Sequence, residues 1–359
     1  MQFIKFISNL FKNIIFKIVM SVFAIIFLFC VFFFKDWFIL QYHHIIAYYL
    51  VYKGDKAYAQ EQLTSAINYY NRALKLYPEH TKARYNLANI HVAFEDFENA
   101  ADLYRQTIKY DPNFTKARIH LGIILTEELY NPDEAIENYK ATVKSKPFIL
   151  NIPKIYTNGD DVKNDKAVAY YNMGLAYKTK SLIYGDDTEK SRQNLEYAAD
   201  SYKQALKIRK DDYDTLYNLA LTYQLLGRKE DATVYYCKAI NLKPLNFEAH
   251  YNFAILLKSM KQYFYSKQEL EKAGLVLDSK GDTYISRYIY DIFREVNYKL
   301  MIQQKRNPLV DKMLKEEIPL EGELTYVGGK VVVSDKLDET IINNLKTCNI
   351  CKDYKEKKE

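Results

Sequence analysis

The feature that most limits what this chain can become is a short block that returns along it. It reads Ala83-Arg-Tyr-Asn-Leu-Ala88, Ala117-Arg-Ile-His-Leu-Gly122, Ala169-Tyr-Tyr-Asn-Met-Gly174, Thr215-Leu-Tyr-Asn-Leu-Ala220 and Ala249-His-Tyr-Asn-Phe-Ala254. The step from Ala83 to Ala117 is 34 residues, and that from Thr215 to Ala249 is again 34. A second block alternates with the first, at Ala66–Ala73, Ala100–Tyr104, Ala135–Tyr139, Ala198–Tyr202 and Ala232–Tyr236. Pro78, Pro112, Pro147 and Pro244 follow the second block in four of these places.

Within each block apolar residues stand three and four apart, the helical period. Two helices per repeat make a hairpin. A lone hairpin cannot bury both of its apolar faces, so repeats must stack and share a core. Small residues (Ala88, Gly122, Gly174, Ala220, Ala254) let the paired helix approach closely. Ala66, Ala100, Ala135, Ala198 and Ala232 do the same from the other helix. Tyr70, Tyr104, Tyr139, Tyr202 and Tyr236 are expected to fill the wider gaps, and the prolines to stop each second helix.

The order small, small, aromatic, Ala, Pro resembles the signature of the tetratricopeptide-repeat family across residues 47–280. The resemblance implies an all-α right-handed superhelix of helical hairpins, in six units: 47–80, 81–114, 115–149, 167–212, 213–246 and 247–280. The end units depart from the pattern. The first has Gly54 but a weak first block, and the sixth has Ser266, Leu270 and Asp278 where Ala, Tyr and Pro are usual. Such degeneracy fits terminal repeats. The fourth has Lys210 in place of proline. Two insertions, 148–166 and 179–193, are expected as protruding loops, a small helix or a break in the array.

The resemblance further implies a concave groove lined by the first helices, with one polar position facing it. That position holds Asn86, His120, Asn172, Asn218 and Asn252. An asparagine can pair with a peptide amide both as donor and as acceptor, so a row of them could hold an extended chain. Lys82 and Lys116, with Arg84 and Arg118, form a basic cluster that would favour an acidic or carboxylate-bearing ligand. The two-carboxylate clamp of chaperone-binding relatives needs a cation where this chain has Tyr85, Ile119 and Tyr171, so chaperone tails are not expected.

Ahead of the repeats, Ile18–Phe34 contains one polar residue, Ser21. At ~1.5 Å per residue the run reaches the short end of a bilayer span. Lys17 and Lys35 flank it and Trp37 follows, as suits an interface. The sequence after it offers no small-residue cleavage site, and Phe29 precedes Cys30 where a lipoprotein signal needs a small residue. The expectation is a basic tail, 1–17, and an uncleaved transmembrane anchor, 18–40. Lys5, Lys12 and Lys17 place the N-terminus in the cytoplasm and the repeats outside it.

Beyond the array, 281–305 reads as an amphipathic capping helix and 306–359 as a tail. Two β-prone runs around Gly328-Gly329 suggest a hairpin. The four cysteines, Cys30, Cys237, Cys348 and Cys351, form no disulfide-scaffold pattern. Cys348-Asn-Ile-Cys351 is half of a zinc site, with no second pair to complete it.

Residues 1–40 carry +3 of the net charge of +6. The rest is too nearly neutral for a nucleic-acid footprint. No phosphate loop, nucleophile elbow or metal-spaced histidine pair is present. The reading is therefore a non-catalytic, cofactor-free scaffold that is anchored in a membrane and binds a protein or extended peptide. A permanent subunit of an envelope assembly is a variant of it. The alternative is a thiol-redox or metal protein acting through Cys348 and Cys351.

Overall fold

The computed structural model describes residues 2–145, 159–185, 188–278, 283–306, 326–327, 330–331 and 350–351. Its architecture is an all-α solenoid of helical hairpins. Thirteen helices lie among the described residues. They fall into two compact units, Met1–Ala117 and Arg118–Glu359.

The first unit holds α1 (Gln2–Ala59), α2 (Leu63–Leu76), α3 (Thr81–Ala93) and α4 (Phe97–Tyr110), and the start of α5 (Thr115–Glu127). The basic tail, the apolar run and the first helix of the first repeat are thus one continuous helix. Its described large apolar side chains between Ile14 and Leu40 are exposed, whereas from Ala47 onward one face is buried against α2. No single described helix is long and apolar enough to cross a membrane. A bent pair, Phe16–Phe29 and Phe32–Ala59 with 63° between them, passes the same test of length and composition.

The second unit continues with α6 (Pro132–Lys144), α7 (Gly159–Ile183), α8 (Glu189–Ile208), α9 (Tyr213–Leu225), α10 (Lys229–Leu242), α11 (Phe247–Ser259), α12 (Tyr263–Asp278) and α13 (Thr283–Arg306). The insertion at 179–193 makes no protruding domain. It lengthens both members of one hairpin, so α7 has 25 residues and α8 has 20. Of the other insertion, 148–166, residues 148–158 lie outside the described residues. The last helix packs Ile289 and Val296 against Ala254, Leu270 and Ala273, which covers the sixth hairpin.

Local chemistry sets the helix ends. Asp212, Asn131 and Asn246 each accept a bond from the backbone N–H three residues on, which satisfies an otherwise unpaired donor of the first turn. Proline 78, 112 and 244 each stand two residues past a helix end. The turn inside six hairpins carries a left-handed residue: Glu61, Glu95, Tyr130, Gly185, Gly227 and Lys261, with φ between 49° and 76°.

The five repeat tyrosines, 70, 104, 139, 202 and 236, are fully buried. Where the small residue is glycine the ring sits on the backbone. A methyl group at Gly54, Gly122 or Gly174 would lie 2.5 Å from Tyr70, Tyr139 or Tyr202 respectively.

Two features lie near the C-terminus, and the second differs from the sequence reading. Tyr326–Val327 and Lys330–Val331 pair antiparallel, a ladder of two residues per strand; the rest of 323–333 lies outside the described residues. The cysteines do form a disulfide, Cys237 to Cys351, with Cα atoms 5.9 Å apart. No spacing rule predicts it, because the partners are 114 residues apart and meet only through packing. Ile350 and Cys351 are buried in the same cluster as Tyr236, Cys237 and Ile240 of α10.

Candidate functional site

In the second unit the first helices α7, α9 and α11 present a common face. Tyr171 and Leu175, then Tyr217 and Leu221, are half-buried on the core beneath them. Tyr251 follows on α11, 6.3 Å between ring centroids from Tyr288 of α13. Burial first, then the carboxylates of Asp214 and Asp212, pushes the Tyr171 hydroxyl up to about 12.

The asparagines on this face tie neighbouring helices together. Asn218 Nδ2 donates to the Tyr171 hydroxyl at 3.3 Å and to the Asp214 carbonyl at 2.9 Å. Asn252 Nδ2 donates to the Tyr217 hydroxyl at 2.7 Å and to the Glu248 carbonyl at 2.9 Å. Asn172 Nδ2 donates to Val168 O at 3.0 Å. The amide donors therefore brace one repeat against the next. The Asn218 oxygen accepts from Lys178 Nζ at 2.8 Å. His120 is half-buried on α5.

The corresponding place in the first unit is a cleft of about 200 Å³ lined by Asp55, Tyr58, Tyr70, Asn86 and Asn89. Asn86 Nδ2 donates to Asp55 Oδ1 at 2.8 Å, and the Tyr70 hydroxyl donates to the same oxygen at 2.8 Å. Burial, then Asp55, raises the Tyr70 hydroxyl well above its usual range. Lys82 is paired with Asp55 at 2.6 Å.

Three members of the basic cluster, Lys82, Arg84 and Arg118, have partners within the protein. Arg84 is buried, donates to the Pro78 carbonyl and stacks over Tyr110 at 4.6 Å. Its guanidinium completes the end of the preceding helix. Arg118 turns to Asn138 Oδ1 at 3.4 Å. Lys116 is exposed. The same position in the sixth repeat holds His250, whose Nε2 lies 2.9 Å from the Pro244 carbonyl. Its Nδ1 lies 2.6 Å from Glu269, which Lys272 also contacts at 2.8 Å.

No group of three or more metal-ligating side chains occurs among the described residues. Cys351 is bonded to Cys237, so it cannot at the same time form a thiol pair with Cys348, which lies outside the described residues.

Stacked hairpins with braced first helices and fully buried tyrosines define a helical-repeat protein. Comparison with known proteins specifies which repeat it is. Two profiles, each described as tetratricopeptide repeat, match residues 53–113 and 87–148, and residues 213–244. The chain thus carries tetratricopeptide repeats. The photosystem I assembly protein Ycf3 of Cyanophora paradoxa is 27% identical over 119 residues, covering 32% of this chain and 62% of that protein. Its counterpart from Acaryochloris marina is 27% identical over 125 residues, covering 34% of this chain and 68% of the relative.

Two solved structures share the fold. PilW, described as a widely conserved type IV pilus biogenesis factor, superposes with a TM-score of 0.51 at 15% identity, covering 68% of this chain and 98% of PilW. PilF of Pseudomonas aeruginosa gives 0.52 at 15% identity, covering 70% and 98%.

Sequence reasoning missed Lys178, Asp55 and Cys237. The first had a usable signal: Lys178 and Lys258 both stand four residues after the small residue of their block, Gly174 and Ala254. Nothing in the sequence marks Cys237 as the partner of Cys351.

Proposed function

We propose that the chain is a membrane-anchored scaffold that docks a protein, through an extended segment, on the face formed by its first helices. One observation carries the reading. Tyr171, Leu175, Tyr217, Leu221 and Tyr251 form a half-buried row beside amides whose donors are already fixed. Such a row offers apolar contact at low ordering cost. The carbonyl oxygens of Asn172 and Asn252 accept no bond among the described residues, which leaves acceptors for a peptide N–H. The reading assigns the chain no catalysis and no cofactor. That Ycf3 and PilW are described as assembly and biogenesis proteins favours a role in assembling or recruiting an envelope complex.

In this reading the exposed apolar stretch of α1 is the anchor, with the N-terminus in the cytoplasm and the repeats outside it. The Cys237–Cys351 bond supports that side, because disulfides persist in oxidising compartments and not in the cytosol. A photoactivatable residue at Leu221 should trap a protein in cells, whereas one at exposed Lys207 on α8 should not. Equal trapping, or none from Leu221, refutes the docking face. A reporter fused after Glu359 that is active only in the cytoplasm refutes the orientation.

A further inference from the structure

Lys178 is the group on this face whose chemistry the fold leaves open. It stands on α7 beside the row of tyrosines and is half-buried. Burial pushes its pKa below the ordinary lysine value, and no carboxylate among the described residues forms an ion pair with it. Its contact among the described residues is one neutral atom, Asn218 Oδ1 at 2.8 Å. The other side of that amide is committed to Tyr171 and to the Asp214 carbonyl, so its oxygen must face the lysine. An ammonium has three donors, and two remain. A buried cation without a counter-charge is costly, and folded chains normally supply one.

The same repeat position elsewhere shows what it takes. Lys258, also four residues after the small residue, reaches Glu295 of α13, two helices on, at 2.5 Å. At Lys178 the helix two on is α9, and it supplies only the Asn218 amide. Asp212, Asp214 and Glu127 act on the neighbouring Tyr171, yet none forms an ion pair with Lys178.

We propose that Lys178 and Asn218 form a carboxylate subsite for one acidic side chain within an extended, mostly apolar peptide. This rests on the docking face proposed above and specifies its ligand. Two open donors on Lys178 can meet one carboxylate, and Tyr171, Leu175, Tyr217 and Leu221 take the apolar flanks. The subsite lies inside the row, with α9 and α11 on one side and Glu127 of α5 near Tyr171 on the other. An internal Asp or Glu therefore suits it better than a chain terminus. The carboxylates around Tyr171 disfavour a polyacidic run.

The test uses the full-length protein in detergent and three arrays of decapeptides with randomised apolar flanks. The first has blocked ends and a central Glu, and the second blocked ends and a central Gln. The third has a central Gln and a free C-terminal carboxylate. Peptides from the first array should bind about tenfold more tightly than their Gln counterparts, as a charge-assisted pair implies. Lys178→Met should erase the difference, and Lys178→Glu should reverse it in favour of the central-Gln array, a reversal that a merely structural lysine would not give. Thermal unfolding of both variants checks that the repeats remain folded, and Asn218→Ala provides a second variant that should weaken the discrimination. Equal binding of the first two arrays, discrimination that survives Lys178→Met, or preference for the third array overturns the subsite and leaves the docking face standing. Binding to none of the arrays overturns both.

Discussion

Gly174→Ala sets two effects against each other, and the structure decides the sign. In a helix interior alanine is favoured over glycine by about 0.8–1 kcal/mol, so propensity alone predicts stabilisation. The new methyl group would stand 2.5 Å from Cε1 of Tyr202, and 2.7 and 2.8 Å from two further ring atoms. Carbon atoms rest at about 3.5–4 Å, so the ring or the helix must move by about 1 Å. Tyr202 is fully buried between Ala198, Ala199 and the next hairpin, and a rigid ring has no side-chain end to fold away. Overpacking costs about 1–3 kcal/mol, and three contacts this close on a buried ring place it in the upper half of that range, about 2–3 kcal/mol, for a net loss of about 1–2 kcal/mol. Gly274→Ala is the control, since nothing lies within 4 Å of a methyl group there; it should stabilise by about 0.5–1 kcal/mol. Urea unfolding followed by circular dichroism measures both. Gly174→Ala as stable as the parent would refute the argument that the tyrosine ring sets the hairpin spacing.

Other consequences concern buried polar groups. The Tyr202 hydroxyl is buried without a partner, whereas that of Tyr236 donates to Gln224 at 2.8 Å. Tyr202→Phe should therefore stabilise and Tyr236→Phe destabilise, each by about 1 kcal/mol in the same unfolding assay. Glu269 is buried, which alone would raise its pKa, but Lys272 and His250 hold it at about 2. A depressed carboxylate stabilises fully above its unfolded pKa of about 4.3, and that contribution should fade as pH falls towards 2. Unfolding midpoints between pH 7 and pH 2 should show this loss in the parent and a flatter profile in Glu269→Gln. The latter should already be weaker at pH 7 by about 3–5 kcal/mol, because the buried Lys272 loses its counter-charge and His250 loses its carboxylate partner. Cys237→Ser opens a loop of 114 residues and should cost about 2–4 kcal/mol, with the parent falling to the same stability under reductant. Asn252→Ala should cost about 1 kcal/mol through the lost Tyr217 bond, measured by thermal unfolding.

The repeat register was legible in the sequence for a physical reason. A hairpin that stacks on copies of itself needs the same small and large residues at the same interval. The alternation of Gly174 or Ala220 with Tyr202 or Tyr236 therefore fixes which helices pair and where each turns. The capping helix after 283 was legible too, because its apolar stripe has no other cover. Tertiary structure decided what each polar residue does, since an identical letter can face a ligand, a core or a neighbouring helix. Arg84 closes the end of the preceding helix instead of meeting solvent, and Asn218 and Asn252 spend their donors on tyrosines 47 and 35 residues earlier. Lys178 keeps an unanswered charge because the helix two on brings it an amide rather than a carboxylate. Cys237 found Cys351 because long-range packing brings together residues that no local pattern relates.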